Sequence, residues 1–279
     1  MSEQITERAE SIPVRRPELV FDARIERYYL GGNPVATHFF NALNLLFPDG
    51  ERFFVKSVRD HMAQIEDPQL LADIKGFFGQ EGQHAHQHER FFTTLEGQGY
   101  DLEPVLRRFK PFARWSNRWV PRALRLAITA GAEHYTATMA TLGLHYDMVG
   151  QCDPTMRKLI VWHAIEEIEH KHVAYDVLQS VHPYNYPLRV FGFLAASLVI
   201  AVWTFAGLRV LLGQDFRARR LTRGGFDQAR DALSDGKHAR FRGAVRKLLL
   251  QYLRPGFHPR EIRDAGVKAQ FLPELAQVV

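Results

Sequence analysis

The chain has 279 residues and a formal net charge of +5, and this length suits one large domain or one domain with an appendage. Its single cysteine, Cys152, excludes an internal disulfide framework and a thiolate cluster for zinc, so a metal would have to be held by nitrogen and oxygen. The polar, acidic residues 1–10 lack the basic and then apolar pattern of a secretory signal, so we expect a cytoplasmic protein.

The first third of the chain predicts an arm followed by helices. Residues 1–33 contain two prolines and a Gly-Gly pair, and we expect an arm that lies against the body and carries no chemistry. The main unit is expected over residues 34–182. A buried helix is predicted from Val35 to about Phe47, with a break at Pro48–Gly50. A second helix is then predicted to start at Glu51.

Three longer helical patterns follow, and two of them open in the same way. An aspartate followed by proline favours a helix start, because the aspartate can cap the exposed N–H groups and proline fits the first turn. This signal occurs before residues 68–97 and before residues 154–181, and a third helix is predicted over 121–148. Strand patterns are nearly absent, so the sequence predicts an all-α fold built on a four-helix bundle.

The two Asp-Pro helices also match each other in register. The glutamate of Glu81-x-x-His84 lies thirteen residues after its helix-opening proline, and so does the glutamate of Glu167-x-x-His170. Each of these helices is preceded by a helix with another candidate glutamate, Glu51 or Glu133. The order along the chain is therefore Glu, Glu-x-x-His, Glu, Glu-x-x-His.

This spacing suits a dinuclear metal site. Residues three apart on a helix project from one face, so each Glu-x-x-His pair offers an oxygen and a nitrogen ligand to the same place. Two such pairs and one glutamate from each of two other helices supply four carboxylates and two imidazoles, enough to hold two metal ions in the core of a bundle. We expect iron, with manganese as the alternative.

The motifs also carry a resemblance to known families. Residues 34–182 resemble the ferritin-like di-iron carboxylate proteins, and segments 78–84 and 162–171 look like the bacterial family named "predicted metal-dependent hydrolase". His163-x-x-x-Glu167-x-x-His170 also resembles the di-iron arylamine N-oxygenases, which implies that His163 is a seventh ligand. The resemblance to di-iron proteins in general implies that the acid just before the second motif, Glu166, is a candidate partner that orients His84 from outside the metal shell.

Several of these residues have simpler interpretations. Glu51 could favour a helix start through the helix dipole rather than bind metal, and His134 competes with Glu133 as the functional side chain of its helix. His88, seven residues after Glu81, is a candidate supporting residue outside the metal shell. Glu169 is expected to face solvent.

A hydrophobic helix is predicted over residues 183–213. Its stretch 190–208 contains no charged residue, and at helical rise it spans roughly 28 Å, close to the hydrocarbon thickness of a bilayer. Residues 214–279 are then expected to form a basic helical appendage, because fourteen Lys and Arg face five acids from Arg209 to Arg263. We expect attachment to the inner face of a membrane, with a buried helix of a homodimer as the alternative.

The predicted function is an oxygen-activating di-iron oxidase or oxygenase that acts with dioxygen on a small hydrophobic or lipid-like substrate. The alternative is a metal-dependent hydrolase that uses a metal-bound water. Iron storage or metal sensing is a third, non-catalytic class, disfavoured because the apolar segment and basic tail do not suit a soluble cage. Nucleic-acid binding is not expected, since no known recognition module is present.

Overall fold

A computed structural model describes residues 11–276 of the chain, and this part is all-helical, with no β-strand. One isolated antiparallel bridge joins Leu30 to Cys152. The α-helices are α1 Pro34–Asn44, α2 Phe47–Arg59, α3 Pro68–Gly97, α4 Glu103–Trp119, α5 Arg122–His145, α6 Pro154–His170, α7 Val173–Val181, α8 Tyr186–Arg217, α9 Arg223–Ala232, α10 Gly236–Gln251 and α11 Ala265–Leu275.

The two predicted Asp-Pro helix starts are confirmed. The Asp67 side chain accepts a hydrogen bond from the backbone N–H of Gln69 at the start of α3. Asp153 accepts from the N–H groups of Thr155 and Met156 at the start of α6. Each cap satisfies donors that have no partner inside the helix, so both starts are fixed by local chemistry.

Other predicted boundaries were wrong. The break between the first two helices lies at residues 45–46, and Pro48 stands in the first turn of α2, where its missing N–H costs nothing. The expected helix over 154–181 is interrupted at residues 171–172, between α6 and α7. Helix α4, over Glu103–Trp119, was not predicted.

Four of the helices pack in a closed cycle around the middle of the molecule. Helix α2 packs on α3, α3 on α6, α6 on α5, and α5 on α2. The other side of α5 packs against α8, which also contacts α1, while α10 contacts α5 and α11 contacts α6. The division into a bundle, a hydrophobic helix and an appendage stays a prediction.

Small residues let α5 and α8 approach closely. A Cβ atom added at Gly192 would lie 2.4 Å from the backbone carbon of Ala127, and one added at Gly131 would lie 2.7 Å from the Cα atom of Phe193. Distances below 3.0 Å are not tolerated by packed backbone atoms, so glycine is required at both positions. Helix α8 is therefore attached to the helix that carries Glu133.

The described part of the N-terminal arm lies against α3. A Cβ atom added at Gly76 would meet Ile12 at 2.6 Å, and one added at Gly79 would meet Val14 at 2.4 Å. The two glycines thus form a shallow track for the arm on the helix surface. The arm continues from this track to α6, where Arg15 contacts Glu166 and Glu169.

Candidate metal centre

Helices α2, α3, α5 and α6 bring the seven predicted ligand side chains together in the protein interior. All seven are buried, the most exposed of them being His163 at 7%. The set consists of Glu51 from α2, Glu81 and His84 from α3, Glu133 from α5, and His163, Glu167 and His170 from α6. Their ligand atoms form several overlapping groups in which every atom lies within 4.8 Å of the others.

One side of this cluster is built around His170. Its Nε2 atom lies 3.1 Å from Glu81 Oε1, 3.3 Å from Glu133 Oε2 and 3.5 Å from Glu167 Oε2. Glu81, Glu133 and His170 also form one of the groups whose ligand atoms are mutually close. These side chains define a first subsite with one nitrogen and several carboxylate oxygens.

The other side is built around His84 and His163. His163 Nε2 lies 2.8 Å from Glu167 Oε1, and His84 Nδ1 lies 3.7 Å from the same oxygen and 3.8 Å from Glu81 Oε1. Glu51 is grouped with Glu81 and His84 on this side. Because Glu81 and Glu167 reach both subsites, they are the candidates to bridge two ions.

The polar atoms at the centre of the cluster lack hydrogen-bond partners. Both carboxylate oxygens of Glu51, Glu81 and Glu133 are buried without one, as are His84 Nδ1 and His170 Nε2. Burying such atoms without hydrogen bonds is costly, and these residues fit a bound cation. Four ionised glutamates carry four negative charges, which two divalent ions would balance, and the donor set of oxygen and imidazole nitrogen fits such ions.

Each motif histidine is oriented through its outer ring nitrogen, which contacts the residue that precedes the glutamate of the other motif. Glu166 Oε2 lies 3.0 Å from His84 Nε2, and Gln80 Oε1 lies 2.8 Å from His170 Nδ1. In the tautomers that fit these contacts, the outer ring N–H donates and the inner nitrogen is free to bind metal. The sequence predicts this role for Glu166. The role of Gln80 was not predicted, although the internal repeat places Gln80 just before Glu81 as Glu166 stands before Glu167.

His163, the third histidine among the candidate ligands, is supported in a comparable way by His88. His88 Nδ1 contacts the Oδ1 atom of Asn44, and His88 Nε2 lies 2.5 Å from His163 Nδ1. If the His163 Nδ1–H donates to His88, the His163 Nε2 atom faces Glu167 with its lone pair. His88 also falls in a mutually close group with Glu51 and His163, so it lies at the boundary between ligand and supporting residue.

The arm, for which no chemistry was predicted, contributes a cation to the surroundings of the cluster. Arg15 Nη1 lies 3.3 Å from Glu166 Oε1 and 2.7 Å from Glu169 Oε2. Glu169 also pairs with Lys268 of α11 at 2.7 Å, and its side chain is only 4% exposed. The prediction that Glu169 faces solvent was therefore wrong, because two cations distant in sequence cover it.

The pKa values in the cluster reflect burial among like charges. Burial raises the pKa of Glu51 well above its usual range, with the nearby Glu81 and Glu167 adding to the effect. Burial also raises the pKa of Glu81 to about 8 and that of Glu133 to about 7. For Glu167, burial acts upward too, but His170 and His163 outweigh it and hold the pKa well below its usual value. A divalent cation would displace the protons that the raised carboxyls retain.

Aromatic side chains close the cluster from several directions. The Phe47 ring lies 5.1 Å from the His163 ring, and the Phe77 ring lies 5.0 Å from the His170 ring, measured between centroids. Trp162 meets the His84 ring edge-on at 4.9 Å. These rings exclude water from the histidines and make the local environment apolar.

His134, the rival of Glu133, points away from the cluster. Its Nε2 atom lies 2.9 Å from the Leu248 carbonyl oxygen of α10, and burial lowers its pKa to about 4. It is therefore a hydrogen-bonded core histidine. Glu133, the residue before it, turns toward His170 instead.

The all-helical fold and this buried cluster of carboxylates and imidazoles together indicate a metal-dependent protein. A family model described as "predicted metal-dependent hydrolase" matches residues 13–263, and the chain belongs to that family. A search of curated proteins and a search of solved structures each found no match.

Proposed function

We propose that this chain is a metal-dependent hydrolase with a dinuclear metal centre. The observation that carries the proposal is the group of buried carboxylate oxygens and imidazole nitrogens without hydrogen-bond partners, which converge from four helices. The family description supports hydrolysis as the reaction class. The substrate class is an ester, amide or phosphoester, whose developing oxyanion a metal pair can stabilise.

The proposed architecture for this centre is a ferritin-like four-helix bundle. The closed cycle of α2, α3, α5 and α6 supports it, because each of the four helices supplies at least one ligand-type side chain to the interior. The matching registers of Glu81-x-x-His84 and Glu167-x-x-His170 support it as well, since bundles of this kind carry the two motifs on separate helices.

The ligands are assigned from the geometry of the two subsites. Glu133 and His170 would hold one ion, Glu51, His84 and His163 the other, and Glu81 and Glu167 would bridge them. A pair of divalent ions held by these residues would supply Lewis acidity, which activates a water and polarises the bond to be cleaved. Iron and manganese both fit this oxygen- and nitrogen-rich set.

The protein's own groups would then orient the centre and control protons around it. Glu166 and Gln80 fix the ring orientations of His84 and His170, so the inner nitrogen of each ring keeps its lone pair. Arg15 holds Glu166 in place by donating to its second oxygen. The surrounding aromatic rings keep bulk water out, which strengthens each electrostatic contact.

Oxygen activation is the second candidate function. It is favoured by the ligand set itself, because helical Glu-x-x-His pairs in a buried, water-poor cluster resemble di-iron sites that react with dioxygen. In that case the aromatic residues Phe47, Phe77 and Trp162 would suit a small hydrophobic substrate.

A comparison of metal forms separates the two functions. Protein loaded with zinc, manganese or ferrous iron should be assayed anaerobically with a series of nitrophenyl carboxylate esters and phosphoesters. A hydrolase will turn over at least one of them in the redox-inert zinc form, and the Glu81→Ala variant will lose that turnover. No turnover in any metal form, together with dioxygen consumption by the ferrous protein in a stopped-flow mixing experiment, would reject hydrolysis and support oxygen activation.

A further inference from the structure

Helix α8 presents an apolar stripe to solvent. The helix is long and apolar enough to cross a membrane, and only 28% of its most apolar stretch is buried in the protein. Large side chains that are each more than half exposed recur at helical spacing along its outer face: Phe191, Leu194, Leu198, Val202 and Phe205. A continuous stripe of five exposed, large apolar side chains is typical of an interaction surface.

Helix α4 extends this apolar surface sideways. Trp203 of α8 lies 5.2 Å from the Phe109 ring and 5.7 Å from the Phe112 ring, measured between centroids. The Phe112 ring contacts Trp115, which is 55% exposed, and Trp119 one turn later is 64% exposed. The outer face of α8 and the tryptophans of α4 therefore form one surface, called here the α4–α8 face.

The α4–α8 face carries unpaired positive charge. All the basic residues within α4 are exposed, and none forms an ion pair with any residue in the described part of the chain: Arg107, Arg108, Lys110, Arg114 and Arg118. Glu103 in the first turn is the only acid of this helix. At the far end of the apolar stripe, the Arg209 guanidinium lies 5.7 Å from the centre of the Phe205 ring.

We propose that the α4–α8 face docks on an anionic lipid surface. Exposed tryptophans and arginines beside an apolar stripe match the two layers of a membrane interface, in which apolar groups enter the acyl boundary and cations meet lipid phosphates. A second copy of this chain fits less well, because it would bring the same five unpaired cations to the contact.

The contacts of α8 indicate docking side-on rather than a complete span. Its inner face packs on α1 and α5. Near its two ends, Arg189 and Asp215 are buried and hydrogen-bonded, Arg189 to the Tyr175 hydroxyl and Asp215 to Tyr28 and Tyr100. Pulling α8 into a bilayer would break these contacts, whereas shallow docking of the outer face leaves them intact.

The test is flotation of the full-length, metal-loaded protein with lipid vesicles. Vesicles of phosphatidylcholine alone are compared with vesicles of equal parts phosphatidylcholine and phosphatidylglycerol, at low and high salt. The proposal predicts binding to the anionic vesicles that weakens at high salt, since screening reduces the attraction. Equal binding to both kinds of vesicle, or none to either, would overturn it.

A charge variant locates the contact on α4. Each arginine near an anionic surface contributes roughly fivefold in partitioning, so the Arg107→Gln, Arg114→Gln, Arg118→Gln variant should bind about a hundredfold more weakly. All three side chains are exposed, so the fold and the metal content should not change.

A matched control removes three exposed charges from α10, with the changes R240Q, R246Q and K247Q. The control should keep most of the binding, and an equal loss in the control would overturn the assignment to α4. Leu198→Ser with Phe205→Ser should reduce binding while keeping its salt dependence. A wild-type protein that stays soluble as a dimer, and that these two changes convert to a monomer, would show instead that a second copy covers the face.

Discussion

Removing bound metal by chelation should destabilise the protein, and this effect should grow as the pH rises. Metal that binds only the folded state at a free concentration about a hundred times its Kd contributes about 2.7 kcal/mol per site, or about 5 kcal/mol for two sites. For a chain of this size, 1 kcal/mol corresponds to a Tm change of roughly 2–4 °C. The metal-bound protein should therefore melt roughly 10–20 °C above the metal-free protein.

The pH dependence follows from buried carboxyls, and Glu81 and Glu133 are the two that titrate in the working pH range. In the folded protein without metal, burial raises the pKa of Glu81 to about 8 and that of Glu133 to about 7, against about 4.3 in an unfolded chain. The folded state thus binds more protons than the unfolded state. The contribution of these two carboxyls to the free energy of unfolding is fully present below about pH 4 and is lost as the pH rises toward about 8. At about 1.4 kcal/mol per pKa unit, the loss is on the order of several kcal/mol.

Bound divalent ions replace those protons, so the metal-bound protein should not show this loss. Differential scanning calorimetry of both forms at about pH 6 and about pH 8 measures the effect. The gap in Tm between the two forms should be larger at the higher pH. A Tm that chelation leaves unchanged at both pH values, or a gap that narrows as the pH rises, would refute the reasoning.

Three other outcomes are expected. Glu166→Ala removes the acceptor of the His84 ring N–H and should weaken metal binding about 10–100-fold in a competition titration with a chromophoric chelator. Glu66→Ala, at an exposed position, serves as the control. Equal metal affinity in the two variants would contradict the role of Glu166 in orienting His84. Gln80→Ala should have an effect of similar size through His170, and an unchanged affinity would count against it. Gly192→Val forces side-chain atoms into the backbone at Ala127 and should lower the Tm by several degrees. Gly243→Val, with open space around it inside α10, should leave the Tm unchanged or slightly raised, because valine has a better helix propensity than glycine by about 0.3–0.5 kcal/mol. Equal Tm values in the two variants would refute the close approach of α5 and α8.

Local sequence signals predicted the starts of α3 and α6 and the shared helix face of each Glu-x-x-His pair. Asp67 and Asp153 specify caps within three residues of themselves, and Glu-x-x-His specifies a shared helix face, so neither needs tertiary information. The break between α6 and α7, at Lys171, is not marked in the sequence by a proline or a glycine. That side chain contacts Asp264 and the Ile262 carbonyl, which lie far along the chain.

The residues that support the site were harder to find for the same reason. Arg15 reaches Glu166 across 151 positions of the chain, and no pattern in residues 1–33 indicates that contact. From the sequence alone Glu169 is expected on an exposed helix face, and only the fold brings Arg15 and Lys268 beside it. Gln80 was accessible from the sequence, since the internal repeat pairs it with Glu166.

Metal stoichiometry tests the central claim most directly. Purified protein, after exposure to excess ferrous iron or manganese and removal of unbound ions, should be analysed by inductively coupled plasma mass spectrometry. The comparison uses the Glu81→Ala, Glu167→Ala variant, which lacks both candidate bridging ligands, and a Glu66→Ala, Glu96→Ala control at exposed positions. The account predicts about two ions per chain in the wild type and the control, as a dinuclear bundle site requires, and a loss of both in the bridging variant. Equal metal content in the wild type and the bridging variant would contradict it.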